Sequence, residues 1–279
     1  MRTLAFLGVL LATIPARADA RKEFQVAHGE AAAKLIRKDY KGAREAVGRA
    51  LKLATDDGDR QDAYWTLEAV ASNTGDVPAM TESIEFQIPR ASARWQRIEK
   101  LKRFVSFLRK QNALEPAIGR YREKLAQSPD DLMALGVLTT SIDRAKSKQP
   151  ESVDLAKRFE AANLKLARQL AQESEELAPK LKENAAMGYA GAAKAWADAE
   201  DTERVRLMLK QVTEAPAIKD AFLLALQHEQ SGDALVLIGK VEEGVKFYEE
   251  AIKAEDSDLQ KGRLQDKIKE VRNGHPPRP

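Results

Sequence analysis

Residues 98–131, IEKLKRFVSFLRKQNALEPAIGRYREKLAQSPDD, decide the fold. Leu101, Phe104, Val105 and Leu108 recur at helical spacing, so they share one side of a helix. Ala117 and Tyr121 carry the pattern onto a second helical segment, which Ser128-Pro129-Asp130-Asp131 ends. A small residue such as Ala117 lets two paired helices approach, while the larger residues fill the space between them. The arrangement returns after Ala225. There Gly232 and Gly244 are the small residues, Leu235, Tyr248 and Ala251 the packing ones, and Gly239-Lys240-Val241 the turn.

Outward from these two segments, from Phe24 to about Val271, apolar residues recur at helical spacing. The breaks fall at Asp56-Asp57-Gly58-Asp59, Asn73-Thr74-Gly75-Asp76, Ser128 to Asp131, Gln149-Pro150 and Ser257-Asp258. No stretch alternates with period two for long enough to argue a sheet. Weaker copies of the two-helix pattern start near Phe24, near Asp62 (Trp65, Ala69), near Leu132 (Leu135, Ile142) and near Ala186 (Tyr189, Ala193, Trp196, Val205). Starts at 24, 62, 98, 132, 186 and 225 lie 38, 36, 34, 54 and 39 residues apart. The fourth unit is therefore expected to carry an extension, a long second helix from Pro150 through about Glu176.

With Leu101, Phe104, Val105, Leu108, Ala117, Tyr121 and Pro129 on repeat positions 4, 7, 8, 11, 20, 24 and 32, the chain resembles the tetratricopeptide-repeat family over almost all of its length. The resemblance implies an all-α fold, a right-handed α-α superhelix of about six helix-turn-helix units. Leu259 to Val271, amphipathic and highly charged, is expected to cap the last unit, and residues 273–279 to form a disordered tail. An irregular helical bundle is the alternative, because amphipathic helices in general share much of this pattern.

Met1 and Arg2 precede a mostly apolar run from Leu4 to Ile14, followed by Pro15 and the small-residue triplets Ala16-Arg17-Ala18 and Ala18-Asp19-Ala20. This is the pattern of a signal peptide. Eleven residues rise only about 16 Å as a helix, too little to span a bilayer. The expected organisation is thus a signal peptide over 1–20, a helical repeat domain over 21–272 and the tail. Cleavage after Ala18 or Ala20 would leave an exported protein, periplasmic or secreted. Removing residues 1–20 lowers the net charge from +3 to +2, since Arg2, Arg17 and Asp19 go together.

Composition narrows the chemistry. With 43% hydrophobic and 32% charged residues the chain is too apolar to be disordered and too charged to be an integral membrane protein. The absence of Cys excludes disulfides, thiolate metal sites and a thiol nucleophile, and the three His, at 28, 228 and 275, form no pair with ligand spacing. No metal and no cofactor is expected. Motifs of the common hydrolases, P-loop enzymes, zincins and dinucleotide-binding enzymes are missing from the sequence, so a non-enzymatic role is the expectation.

Arg94 to Lys110, RWQRIEKLKRFVSFLRK, carries seven Lys or Arg against one acid, Glu99. At 100° per residue Lys102, Arg103, Arg109 and Lys110, with Trp95, lie apart from the apolar side. The family resemblance implies that the first helix of each unit lines a concave groove. On this sequence the groove positions are Glu99, Lys102, Ser106, Arg109 and Lys110 in the third unit, Thr140, Asp143 and Arg144 in the fourth, and Thr66, Asn73 and Thr74 in the second. The family's known clamp for a terminal carboxylate would fall on His28, Ala32, Leu67, Glu99 and Arg103, of which Arg103 alone agrees, so that activity is not implied. Trp65 and Trp196 are expected to pack in the core.

The function these observations imply is a non-catalytic, exported scaffold that binds a protein or peptide partner, one of acidic character, in its groove. The residues expected to bind are Lys102, Arg103, Arg109, Lys110, Arg144, Asn73, Thr66 and Trp95. The alternative is a polyanion binder that takes an acidic envelope polymer or nucleic acid on the basic helix, with nucleic acid the less favoured of the two because of export and a near-neutral charge. A helical enzyme is a third reading, with no catalytic motif to support it.

Overall fold

The computed structural model of the chain describes residues 4–91, 93–142 and 147–277, with side chains from residue 20 onward. Among the described residues the regular structure is entirely helical and there is no strand. Two compact units divide the chain, residues 1–91 with 97–156, and residues 92–96 with 157–279.

The first unit contains α1 (Leu4–Ile36), α2 (Tyr40–Leu53), α3 (Asp57–Thr74), α4 (Val77–Gln87), most of α5 (Arg94–Lys110), α6 (Leu114–Gln127), α7 (Leu132–Ser141) and the first turns of α8 (Pro150–Leu177). α1 packs on α2, α2 on α3, α3 on α4 and α6 on α7. Phe24, Ala27, Ala50 and Ala63 form one buried cluster of α1, α2 and α3. Leu101, Phe104, Val105, Leu108 and Tyr121 are buried as the periodicity requires. Trp65 departs from expectation. It is 54% exposed, because Ala63, Leu67, Val70 and Ala71 form the buried face of α3.

The second unit holds the rest of α8, then α9 (Ala185–Asp198), α10 (Thr202–Glu214), α11 (Ala221–Leu237), α12 (Val241–Ala254) and α13 (Asp258–Arg272). α9 packs on α10 and α11, α11 on α12, and α12 on α13. Trp196 is buried with Val205, Met208 and a set of alanines, and its indole N–H donates to Glu175 at 2.8 Å. Tyr248, Val245, Leu264 and Val271 close the far end. α8 covers the extension expected in the fourth unit, and α13 the expected capping segment.

Turn geometry reveals a repetition that the residue types conceal. Lys38, Asn112, Glu200 and Gly239, between the helices of four hairpins, all have positive φ, from 54° to 81°. In each case this residue's N–H bonds the carbonyl three residues back and the next N–H the carbonyl five back. The pairs are Lys38 to Leu35 and Asp39 to Lys34; Asn112 to Arg109 and Ala113 to Leu108; Glu200 to Ala197 and Asp201 to Trp196; Gly239 to Val236 and Lys240 to Leu235. This left-handed closure satisfies helix carbonyls that would otherwise lack partners. The α3–α4 turn uses a single bond instead, from Gly75 N–H to Ala71. Aspartates start several helices: Asp39, Asp56, Asp76, Asp131, Asp201 and Asp220 each accept a backbone N–H of the first turn.

Candidate functional site

The basic helix α5 separates into structural and free cations. Arg94, in the second unit, is gripped there by Glu160, Glu200 and Asp198, whose carboxylate also accepts the Arg94 backbone N–H at 2.8 and 3.0 Å. Arg97 is fully buried and donates to the Ala91 carbonyl at 2.6 Å. Lys100 bonds Gln87 at 2.7 Å and pairs with Glu68 at 3.2 Å, tying α5 to α4 and α3. Lys102 is exposed and pairs with Glu99 at 2.8 Å. Arg103, Arg109 and Lys110 are exposed, and among the described residues none of them has an ion-pair partner.

Three of these cations meet in one place. Lys102, Arg103, Ser106, Phe107 and Lys110 of α5 line an open depression of roughly 400 Å³ with Ser72 of α3. Phe107 gives it a half-buried apolar floor, and the two serines add hydroxyl donors. The lining has three cationic side chains and no acidic one. Carboxylates or phosphates would be held here by charge-assisted hydrogen bonds, with the planar Arg103 guanidinium able to take two oxygens at once.

The other residues expected to bind are placed differently. Arg109 is exposed on α5 but outside the depression. Thr66 hydrogen-bonds His28 of α1 at 2.9 Å, and the Asn73 amide oxygen accepts from Tyr40 of α2 at 3.3 Å. Both therefore face the preceding hairpin. Trp95 is half-buried in the first turn of α5 and belongs to the second unit, not to the depression. Arg144 and Asp143 lie outside the described residues.

A second unit starting near Asp62 lies two residues out of register and so misses Ser72. The buried residues Ala63, Leu67, Val70 and Ala71 each lie 34 residues before buried Arg97, Leu101, Phe104 and Val105. That register puts Ser72 level with Ser106. The signal lies in the Ala63–Leu67–Val70–Ala71 spacing, whereas Trp65, large but 54% exposed, is not a core position of α3.

A second polar cluster lies in the second unit and is satisfied internally. Asp233 accepts from Lys194 at 2.5 Å, Lys267 at 2.8 Å and the Tyr248 hydroxyl at 2.7 Å. Glu229 receives both terminal nitrogens of Arg263, at 2.7 and 2.6 Å, and Lys267 at 2.6 Å. Burial alone would raise the Glu229 pKa, but the bonds from Arg263 and Lys267 outweigh it and hold the carboxyl at about 2. Burial and the neighbouring Asp233 carboxylate push the Tyr248 hydroxyl far up. These groups join α9, α11, α12 and α13, a bracing role. His228 of α11 sits beside Phe247, its pKa lowered by burial. Among the described residues no group of three His, Asp or Glu side chains is placed to hold a metal ion, and no helix is long and apolar enough to cross a membrane.

No family model, no curated protein and no solved structure matches the chain.

Proposed function

We propose that the chain is an exported, non-catalytic scaffold of the tetratricopeptide-repeat type, a right-handed superhelix of helix-turn-helix units that holds an acidic peptide segment of a partner protein. The observation that carries the reading is the depression between α3 and α5. Lys102, Arg103 and Lys110 converge there on a serine-lined, Phe-floored surface, and Arg103 and Lys110 have no acid of their own among the described residues. Cations left without internal partners on a folded surface attract anionic ligands. The shared turn geometry of four hairpins supports the repeat architecture, and the residue 1–20 pattern supports export.

The test is chemical cross-linking of the protein in the envelope fraction of its own cells, with the Arg103→Glu/Lys110→Glu double variant in parallel and both checked for helicity by circular dichroism. A specific protein captured by the native chain and lost by the variant supports the scaffold. Binding of an acidic polymer or oligonucleotide with a steep salt dependence, and no protein capture, moves the assignment to a polyanion binder, because counterion release dominates such binding. Equal capture by both forms removes the depression from the function.

A further inference from the structure

The partner's chemistry is narrowed by one exposed side chain. Trp65 is 54% exposed on α3. Seven residues separate it from Ser72, and seven helical residues turn through almost two full circles, so Trp65 lies on the line of α3 that leads to the depression. The distance along that line is about 10 Å. An extended peptide covers this in about three residues, at about 3.3 Å per residue. Charge changes along the same path. Glu68, one turn from Trp65, is already engaged by Lys100 and Gln87, whereas at Ser72 the surroundings become Lys102, Arg103 and Lys110. The face thus offers an aromatic platform at one end and a group of cations at the other, of which Arg103 and Lys110 have no ion-pair partner among the described residues.

Resting on the acidic-partner reading, we propose that this face of the first unit binds an extended peptide in which an aromatic or long aliphatic side chain lies about three residues from a group of carboxylates. The apolar side chain covers Trp65, and the carboxylates are held by Arg103 and Lys110 with Lys102. An indole supplies a large rigid surface at low entropic cost, and aromatic contact adds to the area it buries. The carboxylates fix position through charge, and the aromatic residue selects among acidic sequences. Acid-rich segments that lack it bind more weakly.

Fluorescein-labelled peptides test this by anisotropy on the full chain. Each has a Gly/Ser background and a block of glutamates, with no aromatic residue, with Phe three residues from the block, or with Phe at a distant position. The near Phe is expected to tighten binding about tenfold over the peptide without Phe, the equivalent of one aromatic contact, and the distant Phe to add little. Trp65→Ala is expected to erase that gain, so that the near-Phe and Phe-free peptides bind alike, and Arg103→Glu/Lys110→Glu to weaken every peptide. Protection of tryptophan fluorescence from acrylamide by the near-Phe peptide reads the same contact in the unaltered chain. The inference is overturned if Phe position has no effect, or if the gain survives in Trp65→Ala. If no acidic peptide binds the native chain, the acidic-partner reading fails as well, whereas binding that ignores Phe sinks this inference alone. Oligothymidylate bound through Trp65 more tightly than any peptide would replace the peptide with a nucleic acid.

Discussion

Gly232 and Gly244 face each other across the α11–α12 hairpin so closely that a methyl group on either would stand within 2.9 Å of the other's carbonyl oxygen. A methyl at 232 would also meet the Tyr248 ring at 2.7 Å, and one at 244 would meet Val236 at 2.6 Å. These are the two small positions where α11 and α12 approach closely. Alanine normally favours a helix over glycine by roughly 1 kcal/mol. Overpacking costs about 1–3 kcal/mol, and here the obstacle is backbone. Gly232→Ala and Gly244→Ala are therefore expected to destabilise, while Gly119→Ala on α6, where a methyl meets nothing within 4 Å, is expected to stabilise. Urea unfolding of the three variants checks the signs.

The recurrent turn gives a second test in which one chemical change takes opposite signs. Lys38 is held at φ 62° between α1 and α2. A left-handed conformation costs a side-chain-bearing residue roughly 1–2 kcal/mol, and glycine is free of that cost. Lys38→Gly is expected to raise the melting temperature. Lys246→Gly, on an exposed position inside α12, is expected to lower it, by roughly 1 kcal/mol of stability. If both changes destabilise alike, strain at the turn is not what limits this hairpin.

These elements also mark what the sequence made legible. Helices with strongly periodic apolar faces, such as the stretch from Leu101 to Tyr121, could be placed because burial alone dictates their pattern. Of the left-handed turns only the one at Gly239 is legible, since Lys38, Asn112 and Glu200 carry no glycine signal and the hydrogen bonds that hold them are backbone. The charged stretches were harder. Arg97 looks like one more cation of a solvated stripe, yet it is fully buried. Lys267 looks like part of a charged cap, yet with Leu264 and Val271 it forms the buried face of α13. A charge pattern records composition, whereas burial depends on acids brought from elsewhere in the chain, here Glu229 and Asp233. The depression follows the same rule. Its cations could be read from α5, but Ser72 enters only through the packing of α3.

Asp233 is the hub of the brace at 1% exposure, with Lys194, Lys267 and Tyr248 all directed at it. Asp233→Asn preserves an acceptor for Tyr248 but takes the charge partner from Lys194 and leaves Lys267 with Glu229 alone. A loss of roughly 3 kcal/mol is expected, as when a buried ion pair is broken from one side. Lys267→Met should cost less, about 1–2 kcal/mol, the scale of lost hydrogen bonds, because Glu229 retains Arg263 and Asp233 retains Lys194. Calorimetric melting of both variants checks the order, and the reverse order would move the hub to Lys267.

Acid should loosen the same brace. The Glu229 carboxyl is depressed from the ordinary 4.5 to about 2 in the folded chain. The unfolded chain therefore binds more protons than the folded one between those values, and stability falls as pH is lowered through that window. Above the unfolded value the contribution is fully present. Below the folded value Glu229 is protonated in both states and the ion pairs to Arg263 and Lys267 no longer favour the fold. Glu229→Gln is expected to be less stable than the native chain near neutral pH, because Arg263 and Lys267 lose the same charge at every pH. Its stability should also decline less between pH 4.5 and 2. Urea midpoints measured across this range for the two proteins should converge as the pH falls. Parallel curves would mean that the charge of Glu229 does not hold α13 to α11.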